Sequence, residues 1–184
     1  MNSRMNKRKI TTKNMILCAF FAALTSVSSQ IAIPLPFSPV PINLASIFAI
    51  GSGIISGPLT GFLSQLVFIL IGAVGMPVFS RMQGGFSVLL GPTGGYLLAY
   101  PIASLVAGFI TRKKRHSVSF CFLGYLSGTV ICYLFGTLWF MFSTHNNLYA
   151  TILQCVLPFL ATDCAKNILG SLFCQKINMH FKHF

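Results

Sequence analysis

Eleven of the thirteen lysines and arginines stand in three short blocks, and long apolar runs fill the space between them. Arg4, Lys7, Arg8, Lys9 and Lys13 form the first block, Arg112, Lys113, Lys114 and Arg115 the second, Lys176 and Lys182 the third. Only Arg81 and Lys166 lie elsewhere, and Asp163 is the single acid of the chain. Charged residues make up 8% of the sequence, where soluble domains carry roughly a quarter. So few charges cannot cover the surface of a soluble fold of 184 residues. Lipid is the solvent that makes the composition reasonable.

The net charge of +12 does not point to nucleic acid. The basic blocks are short, they sit between apolar runs, and no aromatic surface is interleaved with them. The tendency of cytoplasmic loops to collect lysine and arginine accounts for them better. The expected fold class is therefore an all-α integral membrane bundle of six transmembrane helices, with both termini cytoplasmic. The spans are expected near residues 14–33, 42–56, 59–74, 93–110, 118–142 and 158–177. Residues 34–41 hold four prolines and cannot continue a helix. Residues 78–92 read as a loop of modest polarity, and 148–157 as a short apolar stretch. An even number of spans puts the three basic blocks on one face, which is the cytoplasmic one. The first apolar run is long enough to span and no clear small-residue cleavage site follows it, so it reads as a helix and not a cleaved leader. One domain covers 1–184, with a basic tail at 1–13, the bundle at 14–177 and a second tail at 178–184. No repeat and no linker divides it.

Few residues are equipped for chemistry. The six cysteines form no C-x-x-C pair and sit in apolar runs, as free thiols acting as small hydrophobes do. The four histidines fall in loops and the tail, without H-E-x-x-H, so no metal site is expected. With one acid and no intramembrane histidine, hydrolytic and proton-relay mechanisms lack parts, and no catalytic residues are assigned. No phosphate-binding G-x-x-x-x-G-K-[ST] exists, so the chain cannot hydrolyse ATP itself.

Three features remain. Asp163 and Lys166, three residues apart, share one helical face inside an apolar run. Ionisable groups in a membrane segment are costly and mark binding sites or pathways; an ion pair that only fixes helix packing is the alternative. Second, the stretch from Gly75 to Tyr96 carries Gly84-Gly85 and Gly94-Gly95, with Phe79, Phe86 and Tyr96 as aromatic surface. Such a loop suits a small, partly apolar ligand, although glycines that merely let helices pack would look the same. Third, Ala19 and Ala23 form a small-xxx-small pair that permits close helix contact. Gly57 with Gly61, and Gly124 with Gly128, have the same spacing and are assigned to packing within the bundle.

Pro39-Val40-Pro41, Gly75-Met76-Pro77-Val78-Phe79 and Leu90-Gly91-Pro92-Thr93-Gly94-Gly95-Tyr96 resemble the BioY family of biotin transporters. Tyr133-x-x-Gly136-x-x-Trp139 and Pro158-Phe159 through Asp163-x-x-Lys166 follow in the same order. The resemblance covers most of the chain. It implies a six-helix substrate-binding S component of an energy-coupling factor (ECF) transporter, in the bacterial plasma membrane, that takes up biotin as substrate and needs no cofactor. Its implied partner is an ECF module of a transmembrane T protein and two ATPases, which an A-x-x-x-A face on the first helix contacts; Ala19 and Ala23 occupy that face here. The implied biotin site comprises Asp163, Lys166, Tyr96, Phe79, Gly94, Gly95, Asn43 and Arg81. Asp163 would accept from a ureido N–H, Lys166 would serve the ureido carbonyl or neutralise Asp163, and Phe79 and Tyr96 would pack on the rings. Arg81 would attract the carboxylate. The chain departs from the family pattern at Asn43, Ala45, Ser80-Arg81-Met82 and Thr162. An S component for another vitamin, and a stand-alone biotin carrier, are the other readings.

Overall fold

A computed structural model describes residues 11–35 and 38–180. Arg4, Lys7, Arg8, Lys9, Lys182 and His183 lie outside the described residues. The chain folds into α1 (Thr12–Gln30), strands β1 (Ala32–Leu35) and β2 (Ser38–Asn43), then α2 (Ala45–Ser56) and α3 (Pro58–Ala73). A 3-10 turn at Ser80–Met82 and the short α4 (Phe86–Leu90) precede α5 (Gly94–Thr111), α6 (Val118–Thr144) and α7 (Leu148–Cys155). A second 3-10 turn, Leu157–Phe159, leads into α8 (Leu160–His180).

Helix limits agree with the sequence expectation to within a few residues except around the prolines. Here α1 stops at Gln30 and α2 starts at Ala45, because the segment between them pairs with itself. The pairing is antiparallel, with Ala32 opposite Asn43, Ile33 opposite Ile42 and Leu35 opposite Ser38. The register shifts between Ile33 and Leu35, at Pro34. A bulge at that point lets a residue without an N–H sit in a two-stranded ribbon. The stretch after Val78 also holds more structure than a loop, namely the Ser80–Met82 turn and α4. Residues 148–157 carry α7, whose N-terminus is capped by Asn147 Oδ1 accepting from Ala150 N at 2.8 Å.

Helices α5 and α6 and the segment Leu148–His180 are long and apolar enough to cross a bilayer. Helices α2 and α3 are apolar but shorter. At 12 residues α2 rises about 18 Å, short of the roughly 30 Å of hydrocarbon. The hairpin continues the chain beyond it.

The centre of the bundle is α2, which packs against α1, α3, α5, α6 and α8. It can do so because its inner face is small: Ala45, Ala49, Gly51, Ser52 and Gly53 are buried, with Ile50 and Ile54 filling the gaps. At Gly53 the backbone of α5 comes so near that an added Cβ would lie 1.8 Å from the Ser104 carbonyl oxygen. Between α2 and α3 the chain reverses at Gly57, whose φ of 93° favours glycine, and Pro58 opens the next helix.

Close approach also brings polar groups together out of reach of water. Ser52 Oγ and Ser104 Oγ are 2.8 Å apart. The two N–H groups of Gln65 Nε2 are shared among Thr25 Oγ1 at 3.2 Å, Ser52 Oγ at 3.3 Å and Ser64 Oγ at 3.0 Å. One buried node thus ties α1, α2, α3 and α5, as polar side chains do where lipid offers no competing partner. Lys13 and Arg115 mark one end of the bundle, where α1 begins. Gln30, at the other end of α1, meets the segment around Phe79.

Gly53→Ala forces α2 and α5 apart. Overpacking costs about 1–3 kcal/mol, so the melting temperature of the detergent-solubilised protein is expected to fall by several degrees, while exposed Val74→Ala leaves it in place. An unchanged melting point for Gly53→Ala would contradict the close crossing.

Candidate functional site

Among the described residues one ion pair lies within the bundle, and it begins with helical spacing. Asp163 and Lys166 stand three residues apart near the start of α8 and form an ion pair. The position of Asp163 in the first turn suits a carboxylate, since the helix N-terminus carries partial positive charge. Both side chains are largely withdrawn from solvent, Lys166 12% and Asp163 15% exposed. Such a pair is tolerable only if its remaining donors and acceptors are met. They are met from three other elements. Tyr133 on α6 donates its hydroxyl to Asp163 Oδ2 at 2.5 Å. Lys166 Nζ donates to the Asn43 carbonyl at 3.2 Å, at the end of β2, and to Ser46 Oγ at 3.4 Å, on α2.

This cluster forms the floor of a cleft with two adjoining compartments. The inner one, about 70 Å³, is walled by Ile50, Tyr100, Cys132 and Phe159 around Asp163 and Lys166. The outer one, about 230 Å³, is lined by Ser80, Arg81, Gln83 and Thr93. Val40, Pro41, Asn43, Tyr96 and Tyr100 line both. Together the two approach the lower end of small-molecule sites, ~300 Å³. Asn43 joins the compartments. Its carbonyl receives Lys166, and its side-chain Nδ2 donates to Ser80 Oγ at 3.1 Å. The cleft lies at the Gln30 end of α1, away from Lys13 and Arg115.

The face of α6 that carries Tyr133, Gly136 and Trp139 assembles the wall. Tyr133 holds the carboxylate. Gly136 leaves room for the Tyr96 ring, which would lie 2.3 Å from an added Cβ. Trp139 Nε1 donates to the Gly91 carbonyl at 3.0 Å, fixing the turn into α5. Tyr96 then reaches the Cys155 carbonyl at 3.2 Å, tying α5 to the end of α7.

The expected site residues therefore fall into three groups. Asp163, Lys166, Asn43 and Tyr96 line the inner compartment. Arg81 lines the outer one, together with part of Phe79. The Phe79 ring is otherwise core: 1% exposed, edge-on to Phe68 at 5.5 Å and seated against Gly72. Gly94 and Gly95 line neither compartment. Gly94 lies on the Leu89 backbone and Gly95 on Trp139 and the Phe135 carbonyl, so their lack of a side chain serves packing. Ala45 is buried in the core and faces neither compartment, whereas its neighbour Ser46 faces the inner one. Ala19 and Ala23 are exposed on α1, whereas Ala22 is buried. The glycines of the other small-xxx-small pairs divide: Gly61, Gly124 and Gly128 sit in helix contacts, and Gly57 makes the turn.

Reading the sequence left out Tyr133 and Ser46 as site residues, and Tyr100, Cys132 and Phe159 as walls. A signal existed for Tyr133, because a tyrosine within an apolar helix needs a partner for its hydroxyl. All six cysteines are free. Among the described residues no group of three His, Cys, Asp or Glu side chains is placed to hold a metal.

Chemically, the floor offers a carboxylate bonded to an ammonium on one side and a phenol on the other. A neutral ligand head with both N–H donors and a carbonyl fits such a set. Its carbonyl would displace the longer of the Lys166 bonds, while a negative tail finds Arg81, among the described residues the lysine or arginine that lines the outer compartment. Tyr133→Phe leaves Asp163 one hydrogen bond short. A bond to a charged group contributes about 1.5–3 kcal/mol, so a lowered melting temperature is expected; no change would mean that Asp163 does not depend on the phenol.

The chain matches the BioY family over residues 2–183. It is 40% identical over 166 residues to a probable biotin transporter BioY of Pyrococcus horikoshii, covering 90% of this chain and 96% of that one. It is 33% identical over 165 residues to the biotin transporter BioY of Thermotoga maritima, covering 90% and 95%. The fold matches the 2.1 Å crystal structure of the S-component for biotin from an ECF-type ABC transporter, with a TM-score of 0.83, 26% identity and 91% of each chain covered. The chain belongs to the BioY family.

Proposed function

We propose that this chain is a biotin-binding S component, which captures biotin at the outer face of the cell membrane and delivers it inward with an ATP-driven ECF module. The observation that carries the reading is the Asp163–Lys166–Tyr133 cluster at the floor of a two-compartment cleft. Relatives named as biotin transporters and a biotin S-component of the same fold support the ligand. A transport role also suits a chain of a transporter family better than an enzymatic one. Biotin acts as the substrate, and no cofactor is assigned.

The ureido ring enters the inner compartment. Asp163 accepts from a ureido N–H and Lys166 donates to the ureido carbonyl. Tyr96 packs beside the rings, and Phe79, at the wall of the outer compartment, lies nearer the tail. The valeryl chain runs past Asn43, and its carboxylate meets Arg81 in the outer compartment. Six spans, α1, α2 with the hairpin, α3, α5, α6 and α8, place both termini in the cytoplasm. The gathering of Lys13, Arg112 and Arg115 at the end opposite the cleft supports that orientation. Ala19 and Ala23, exposed on α1, are the surface for the T protein. Two ATPases complete the module.

Calorimetry of the purified protein with biotin tests the ligand, with Asp163→Ala beside the wild type. Losing the ligand's hydrogen bond to a charged group costs about 1.5–3 kcal/mol, so the affinity is expected to fall ~10- to 100-fold at about 1.4 kcal/mol per factor of ten. Equal binding by Asp163→Ala would remove that residue from the site. A folded wild type that ignores biotin but binds another vitamin would reassign the ligand. Biotin uptake into liposomes holding this chain alone would favour the stand-alone carrier.

A further inference from the structure

The segment over the outer compartment has an unusual backbone. Arg81 and Met82 are consecutive, neither is glycine, and both are left-handed, with φ of 62° and 56°. Residues of that kind are costly there and persist only where their surroundings hold them. The holding group is the amide of Gln30, the last residue of α1. Its Nε2 donates to the Pro77 carbonyl at 3.2 Å and the Phe79 carbonyl at 3.0 Å, and its Oε1 accepts from Met82 N at 2.9 Å. Ser29 Oγ beside it donates to the Val78 carbonyl. Within the turn, Phe79 N donates to the Gln83 carbonyl at 2.9 Å. The Phe79 ring anchors the base against Gly72. One side-chain amide thus meets both limbs of the turn and lines neither compartment.

We infer that Gln30 is a positioning residue that clamps the 77–83 turn so that Arg81 stands over the outer compartment. The inference rests on the reading of the cleft as a biotin site and assigns to α1 a part in binding the ligand's carboxylate. Without the amide, Met82 N–H and the Phe79 carbonyl lose their partner, the turn relaxes from its left-handed conformation, and Arg81 leaves the mouth. The Asp163–Lys166 floor stays as it is.

Two measurements on Gln30→Met test this, and trypsin, which cuts after arginine, supplies the first. Cleavage at Arg81 in the ligand-free protein is expected to be at least tenfold faster than in wild type. The second compares biotin with its methyl ester, which lacks the negative tail. Gln30→Met is expected to weaken biotin at least tenfold and to leave ester binding within twofold. Unchanged cleavage overturns the clamp. Faster cleavage with equal biotin affinity overturns its role in binding, and so does an equal loss for biotin and ester. Should Gln30→Met not fold, Gln30→Glu, which keeps the acceptor for Met82 N and loses the donor, carries the same comparison with the same expected direction. If wild type binds neither compound, the biotin reading itself has failed, while the cleavage comparison still decides the clamp.

Discussion

One largely buried ion pair organises the upper half of this protein. Asp163 and Lys166 would be expensive within a membrane bundle if either lacked partners. The structure supplies them from β2, α2 and α6, so that four elements converge on two side chains. Because the partners arrive from different directions, they leave a space between them. That space is the inner compartment. The same requirement that makes the pair bearable makes the cleft. Asn43 shows this most plainly, with its carbonyl committed to Lys166 and its amide to the turn that bears Arg81.

The lower half depends on smallness. The backbones of α2, α3 and α5 approach closely because Gly53, Gly61 and Ser104 put nothing large between them. Hydroxyls and the Gln65 amide then bond across the gap. In lipid such contacts come from packing and hydrogen bonding more than from the hydrophobic effect. The result is a firm base on which the cleft elements stand.

Much of this was legible from residue types. A lone acid three residues from a lysine inside an apolar run marks itself, and Lys13, Arg112 and Arg115 mark the opposite end. Other features were hidden because they depend on contacts distant in the chain. The hairpin at 32–43 was hidden by prolines, which argue against helix without saying what replaces it. Gly94 and Gly95 look like a ligand loop, yet their meaning lies in Trp139 and Leu89, which no local pattern reveals. Phe79 reads as ligand surface and is mostly an anchor in the core. Gln30 drew no attention, since a glutamine ending a helix is ordinary until Pro77, Phe79 and Met82 are seen around it.

The most direct test of the central claim is a crystal structure of the protein with biotin bound. The ureido ring is expected in the inner compartment, with an N–H on Asp163 and the carbonyl on Lys166, and the carboxylate beside Arg81. Biotin bound away from the Asp163–Lys166 pair, or with its ring outermost, would contradict the claim that this buried pair exists to hold the ligand.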